Sequence, residues 1–162
     1  MMLKDIGVLI ANFPKIFRMM RNQKINHAFM EKIMTVTTAV NGCVYCEWFH
    51  AKQALKAGIR EEELQNLLNL QFTTETKPDE ITALLYAQHY AETNRQPDSE
   101  MNEKLERAYG PEKAEQILLV IQMINFGNRY GNTWEAGLSR LKGSSAQQGR
   151  PVFEILFFIF NF

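Results

Sequence analysis

An all-α, single-domain fold is predicted for this chain of 162 residues. Three observations carry that prediction. Apolar residues recur at helical spacing in nearly every segment, Gly and Pro fall where helices stop and start, and no segment shows the period-2 alternation of a half-buried strand. The length suits one domain with a real core.

The first segment, "DIGVLIANFPKIFRMMRN", is apolar at helical spacing, with Pro14 as a break or restart. "INHAFMEKIMTVTTAVNG" puts Ile25, Phe29, Ile33, Val36 and Val40 on one stripe and stops at Gly42. Its β-branched "IMTVTTAV" could form a strand, and a strand leading into C-x-x-C would be the thioredoxin arrangement. Helix is favoured, because the strand reading needs companion strands. The next helix opens at the cysteines and runs through "CEWFHAKQALKA" to Gly58, a suitable residue just past a helix end.

"REEELQNLLN" has acids in its first turn, where the helix dipole favours them. "KPDEITALLYAQHYAETN" starts with Pro and acids and repeats apolar residues at Ile81, Leu84, Leu85 and Tyr86. "DSEMNEKLERAYG" is a short amphipathic helix ending at Gly110. The long helix that follows starts at Pro111, and Gly127 and Gly131 within it allow close packing. The helical domain is taken as residues 1–142. Residues 143–151, "GSSAQQGRP", read as a flexible linker. Residues 152–162, "VFEILFFIFNF", are strongly apolar and read as an oligomer contact, since a lone monomer would struggle to hide them.

Composition excludes several classes. Lys+Arg and Asp+Glu both number 18, so the formal net charge is zero and no nucleic-acid partner is expected. A hydrophobic content of 46% argues against disorder. No window reaches the roughly 18 apolar residues of a membrane span. The start, "MMLKDIGVLIANFPKIF", lacks the marks of a secretory signal. A reducing cytoplasm is the expected compartment, and there a close Cys pair is more often catalytic or metal-binding than structural.

Both cysteines lie in "NGCVYCEWFH", residues 41–50, which ends in His50. If Cys43 opens a helix, Cys43, Cys46 and His50 form one stripe on one face. Free backbone N–H groups and the dipole at a helix start favour a thiolate, and His50, one turn beyond Cys46, can exchange a proton with it. Glu31 can orient that base. In an antiparallel hairpin about Gly42, Glu31 lies about 16 Å back and His50 about 12 Å on, at 1.5 Å rise per residue. The mismatch of about 4–5 Å is within a Glu side chain's reach.

Other readings stand beside this one. Cys43, Cys46 and His50 could hold a metal, with His27 or His89 completing the set, although a zinc half-site usually sits in a tight turn. The cysteines could be inert buried thiols. Glu31 could be a surface residue at the edge of its stripe. His27 reads as partly exposed, His89 as packed or capping, and Trp48 and Phe49 as core or subunit contacts.

The stretch resembles the alkylhydroperoxidase D-like branch of the carboxymuconolactone decarboxylase superfamily. The signature of that branch is a Glu, a Cys twelve residues later that opens C-x-x-C, and a His four beyond the second Cys. Here it reads Glu31, Cys43, Cys46, His50, and "CVYCEWFHAKQALKAGI" looks like the branch's "CxYCxxxHxxxxxxxGl" run. The match covers residues 24–70, and "NFGNRYGNTW" looks more loosely like the later Asn/Arg-bearing helix.

The resemblance implies an all-helical homo-oligomer acting as a thiol-dependent peroxidase or dithiol–disulfide carrier. Cys46 would attack peroxide, and Cys43 would supply a proton and then close a Cys43–Cys46 disulfide. Glu31 and His50 would relay the proton that activates Cys46. A lipoyl or thioredoxin-type dithiol protein would return the electrons, and no cofactor or metal is implied. In alkylhydroperoxidase D proteins a His often precedes the second Cys. Tyr45 stands there in this chain, and a phenol relays protons poorly at neutral pH, which points to weaker peroxidase activity or a different oxidant. The decarboxylase branch lacks the Cys pair, so its non-redox chemistry is the alternative.

Overall fold

The computed structural model describes residues 2–74 and 76–141. The linker at 143–151 and the apolar segment at 152–162 lie outside the described residues. Among the described residues there are six α-helices and no strand. They are α1 (Met2–Arg21), α2 (His27–Asn41), α3 (Val44–Lys56), α4 (Glu61–Leu68), α5 (Pro78–Glu92) and α6 (Ser99–Leu141).

The centre of the arrangement is α2, which packs against α3, α4, α5 and α6, while α1 lies along α6. Asn26 caps α2, its side chain accepting from the Phe29 N–H at 2.8 Å. The stripe predicted for this helix is buried at Ile25, Phe29, Ile33 and Val36 and half-buried at Val40. Its β-branched run stays helical because Val36, Thr35, Thr37 and Thr38 are all buried between neighbouring helices, and burial outweighs a weak local preference. Thr37 donates to the Ile33 carbonyl one turn back, which satisfies its buried hydroxyl. Gly42 ends the helix in the left-handed region, with φ 64° and ψ 36°, and its N–H donates to the Thr38 carbonyl.

Two sequence expectations change. Pro14 neither breaks nor restarts α1, which runs through it. The proline removes one backbone hydrogen bond, but Ile16 and Met19 anchor this stretch to the core, and Lys15 pairs with Glu115 at 2.8 Å. On α5, Leu85 faces outward, and the buried face is Ala83, Leu84, Tyr86, Ala87 and Tyr90. Gly110, with φ 71° and ψ 165°, divides α6 into arms 99–109 and 111–141, as the Gly-Pro pair predicts.

A buried ion cluster joins three helices. Lys32 on α2 places its Nζ 2.5 Å from Glu63 Oε1 on α4 and 2.6 Å from Glu80 Oε2 on α5. All three side chains are at least nine-tenths buried. Burial pulls the Lys32 ammonium toward its neutral form, but the two carboxylates outweigh that, and its pKa is raised. The first-turn acid Glu63 thus serves an ion pair rather than only a helix dipole. No described helix is long and apolar enough to cross a membrane.

Candidate redox site at the α2–α3 hairpin

The turn at Gly42 sends the chain back along α2 and sets Cys43 as the N-cap of α3. Cys43 Sγ accepts from the Cys46 N–H at 3.4 Å, so a sulfur occupies the place usually held by a capping oxygen. The sulfurs of Cys43 and Cys46 are joined in a disulfide, with Cα atoms 5.3 Å apart. Cys43 is 1% exposed and Cys46 9%, so the pair meets solvent by one edge, on the Cys46 side.

The hairpin brings Glu31 and His50 together. His50 Nδ1 lies 2.9 Å from Glu31 Oε2. A carboxylate on Nδ1 favours the tautomer with the proton there, which leaves Nε2 as the free basic nitrogen. Glu31 is 5% exposed, and a carboxylate so buried requires partners. Its second oxygen, Oε1, lies 3.4 Å from His27 Nε2 on the same face of α2, with the His27 side chain 58% exposed. The carboxylate therefore bridges one half-buried and one solvent-facing imidazole. Its i,i+4 spacing to His27 was available in the sequence, but only the burial of Glu31 gives that spacing meaning.

The long arm of α6 closes the other side. Asn125, Asn128 and Asn132 follow one another at helical spacing and grip the end of α2. Asn41 Nδ2 donates to Asn125 Oδ1 at 3.2 Å, Thr38 Oγ1 donates to Asn128 Oδ1 at 3.1 Å, and Asn132 Nδ2 donates to the Asn41 carbonyl at 2.9 Å. The last bond satisfies one of the carbonyls that a helix end leaves open. One turn of the same arm carries Gly127, whose carbonyl oxygen is 3.9 Å from Cys46 Sγ, and Gly131, which lies directly against both sulfurs.

The remaining candidates fall elsewhere. His89 pairs with Asp98 at 3.2 Å and accepts from the Asp98 N–H at 3.4 Å, a capping role between α5 and α6. Trp48 and Phe49 are exposed rather than packed in the core, as are Val44 and Tyr45. Trp48 takes Lys52 Nζ over its ring at 5.3 Å, and Phe49 meets the His50 ring edge-on at 5.2 Å between centroids. The helix turns these side chains outward because its inward face is given to Cys46, His50 and Ala54. Among the described residues no group of three or more His, Cys, Asp or Glu is arranged to hold a metal ion.

Fold and site together define a protein that is all-helical over its described residues, with a C-x-x-C pair at a helix N-terminus beside a buried carboxylate paired with an imidazole. Residues 15–89 match the model of the carboxymuconolactone decarboxylase family, so the resemblance read from the sequence holds over that stretch. The chain is also similar to the uncharacterized protein YdfG of Bacillus subtilis (strain 168). The two are 28% identical over 111 residues, which are 67% of this chain and 75% of YdfG.

Proposed function

We propose that the chain is a thiol-dependent oxidoreductase that cycles Cys43 and Cys46 between dithiol and disulfide, with peroxide as oxidant and a dithiol protein as reductant. The observation that carries this reading is the disulfide at the α3 N-terminus with His50, one turn on, held by Glu31 at 2.9 Å.

In the dithiol form His50 Nε2 takes the proton of Cys46. The Cys46 thiolate attacks the terminal oxygen of ROOH, and the O–O bond breaks. The leaving RO⁻ receives a proton from the imidazolium, giving an alcohol and a Cys46 sulfenic acid. Cys43 then attacks the Cys46 sulfur, the S–O bond breaks, and hydroxide leaves with the Cys43 proton as water. A dithiol donor reduces the disulfide, returning two electrons and two protons. Glu31 stabilises the imidazolium that exists between the first two steps.

Alkylation mass spectrometry before and after mild peroxide treatment tests the pair. The reading requires the loss of two alkylatable thiols with no mass gained by the subunit, because an internal disulfide only removes the two thiol hydrogens. Stopped-flow traces with hydrogen peroxide, an organic peroxide and lipoyl or thioredoxin-type donors then identify the substrates. Two thiols that stay alkylatable would remove the redox reading.

A non-redox reading is favoured by one observation: the His50–Glu31 pair is complete without the cysteines and can act as base and acid alone. Activity that survives Cys43→Ser together with Cys46→Ser would select it.

The reading includes a homo-oligomer. Ile10, Phe13, Phe17 and Met20 on α1 and Val44, Tyr45 and Trp48 on α3 expose apolar surface that a second copy would cover, and the sequence at 152–162 is itself strongly apolar. Light scattering of the full chain and of a chain ending at residue 150 tests this, with a lower oligomer mass or solubility expected for the shorter one.

A further inference from the structure

We infer that Gly131 is the positioning residue of the redox pair: the absence of a side chain there makes the seat in which the Cys43–Cys46 disulfide rests, and so sets how readily the pair is reduced. The inference rests on the redox reading above and adds to it a residue outside the hairpin.

A Cβ built on Gly131 would stand 2.8 Å from Cys43 Sγ and 3.3 Å from Cys46 Sγ. The first distance is shorter than real Cβ contacts allow, so something must shift. Neither neighbour is the loose end of a flexible side chain. Both sulfurs are fixed by their bond to each other, and Cys43 is buried as the cap of α3. The helix backbone cannot retreat easily either, since Asn125, Asn128 and Asn132 tie this arm to α2 on both sides of Gly131.

The dithiol is less constrained. Once the S–S bond is cut, each cysteine can turn about its own Cα–Cβ bond, and Cys43 can swing away from α6. A methyl at position 131 therefore opposes the disulfide more than the dithiol. Gly127 supplies an internal comparison. It lies one turn away on the same face, but a Cβ there meets nothing within 4 Å. Both glycines cost the helix conformational entropy. Only Gly131 returns something for it at the sulfurs.

The experiment is a glutathione redox titration of the full-length protein, read by alkylation, for wild type, Gly131→Ala and Gly127→Ala. Gly131→Ala should shift the equilibrium toward the dithiol by roughly tenfold or more, about 30 mV for a two-electron couple. Gly127→Ala should stay within about twofold of wild type, because alanine there only improves helix propensity. A Gly131→Ala equilibrium within twofold of wild type would overturn the inference while leaving the redox cycle standing. A wild-type pair that no glutathione ratio interconverts would instead count against the redox reading.

Melting temperatures decide the case if Gly131→Ala folds poorly. The same substitution is placed in the oxidised protein and in a Cys43→Ser, Cys46→Ser background, where smaller unbonded oxygens leave room. The inference requires a clear fall in the first and little change in the second. Equal falls would overturn it.

Discussion

Glu31 and His50 are nineteen positions apart in sequence, yet the α2–α3 hairpin sets carboxylate Oε2 and imidazole Nδ1 2.9 Å from each other. Each needs the other: the buried carboxylate gains a donor, and the imidazole gains an orientation. If the pair activates Cys46, Glu31→Gln should slow reaction with peroxide by roughly 10²-fold, the scale of one acid–base step. His50→Gln should do the same. The double variant should be little worse than either single one, because groups in one relay act as a unit. The check is the pH dependence of Cys46 alkylation in the three variants. A wild-type profile in Glu31→Gln would separate Glu31 from the thiol chemistry.

Lys32→Met tests the ion cluster next to the site. It would leave Glu63 and Glu80 buried without their shared cation, and breaking a buried pair in this way costs about 3–5 kcal/mol. Urea unfolding should show the loss as a lower midpoint at unchanged slope. A loss below about 1 kcal/mol would show that the cluster contributes no more than an exposed pair does.

The alkaline limb of the stability curve follows from three groups. Burial pushes the Tyr86 phenol up to about 12 and raises that of Tyr109, and Lys32 is raised by its carboxylates against the opposing effect of burial. The folded chain holds these protons more tightly than the unfolded chain, whose values are near 10.0 for Tyr and 10.5 for Lys. Their contribution is fully present below pH 10 and is lost as pH rises toward and beyond 12. Thermal melts from pH 9 upward should show that decline, with a shallower slope in Tyr86→Phe. The variant also loses the bond from Tyr86 Oη to Asn102 Oδ1 at 2.6 Å, so its starting stability should be lower.

The helices were legible because the apolar stripe of α2 and the stops at Gly42, Gly58 and Gly110 are local signals. The pairing of Glu31 with His50 could be estimated from helix rise alone, since a short turn fixes the register of a hairpin. Partners from distant elements could not. Nothing in "MEKIM" says that Lys32 turns inward, because a lysine on a helix is ordinarily solvated and becomes buried only where Glu63 and Glu80 converge on it. Gly131 reads as a packing glycine, and only the third dimension shows that what packs there is a pair of sulfurs. Pro14 and Leu85 were misread for the converse reason: local chemistry and periodicity were followed where tertiary contacts decide.

The unequal exposure of the two sulfurs has a consequence for how electrons enter. A donor thiolate must approach along the S–S axis, and Cys43, at 1% exposed behind α6, leaves it no line of approach. Exchange must begin at Cys46, so one donor sulfur joins that residue in a mixed disulfide as Cys43 leaves as a thiolate, and the donor's second thiol then displaces the reduced Cys46. A chain carrying Cys43→Ser has no internal disulfide for the donor to attack, but peroxide converts its Cys46 to a sulfenic acid that condenses with one donor thiol and loses water. After peroxide treatment, and with a donor cut back to a single thiol so that nothing resolves the mixed disulfide, that chain should accumulate the donor on Cys46, whereas Cys46→Ser should capture nothing. The asymmetry of burial thus confines the covalent encounter with a donor thiol to one sulfur.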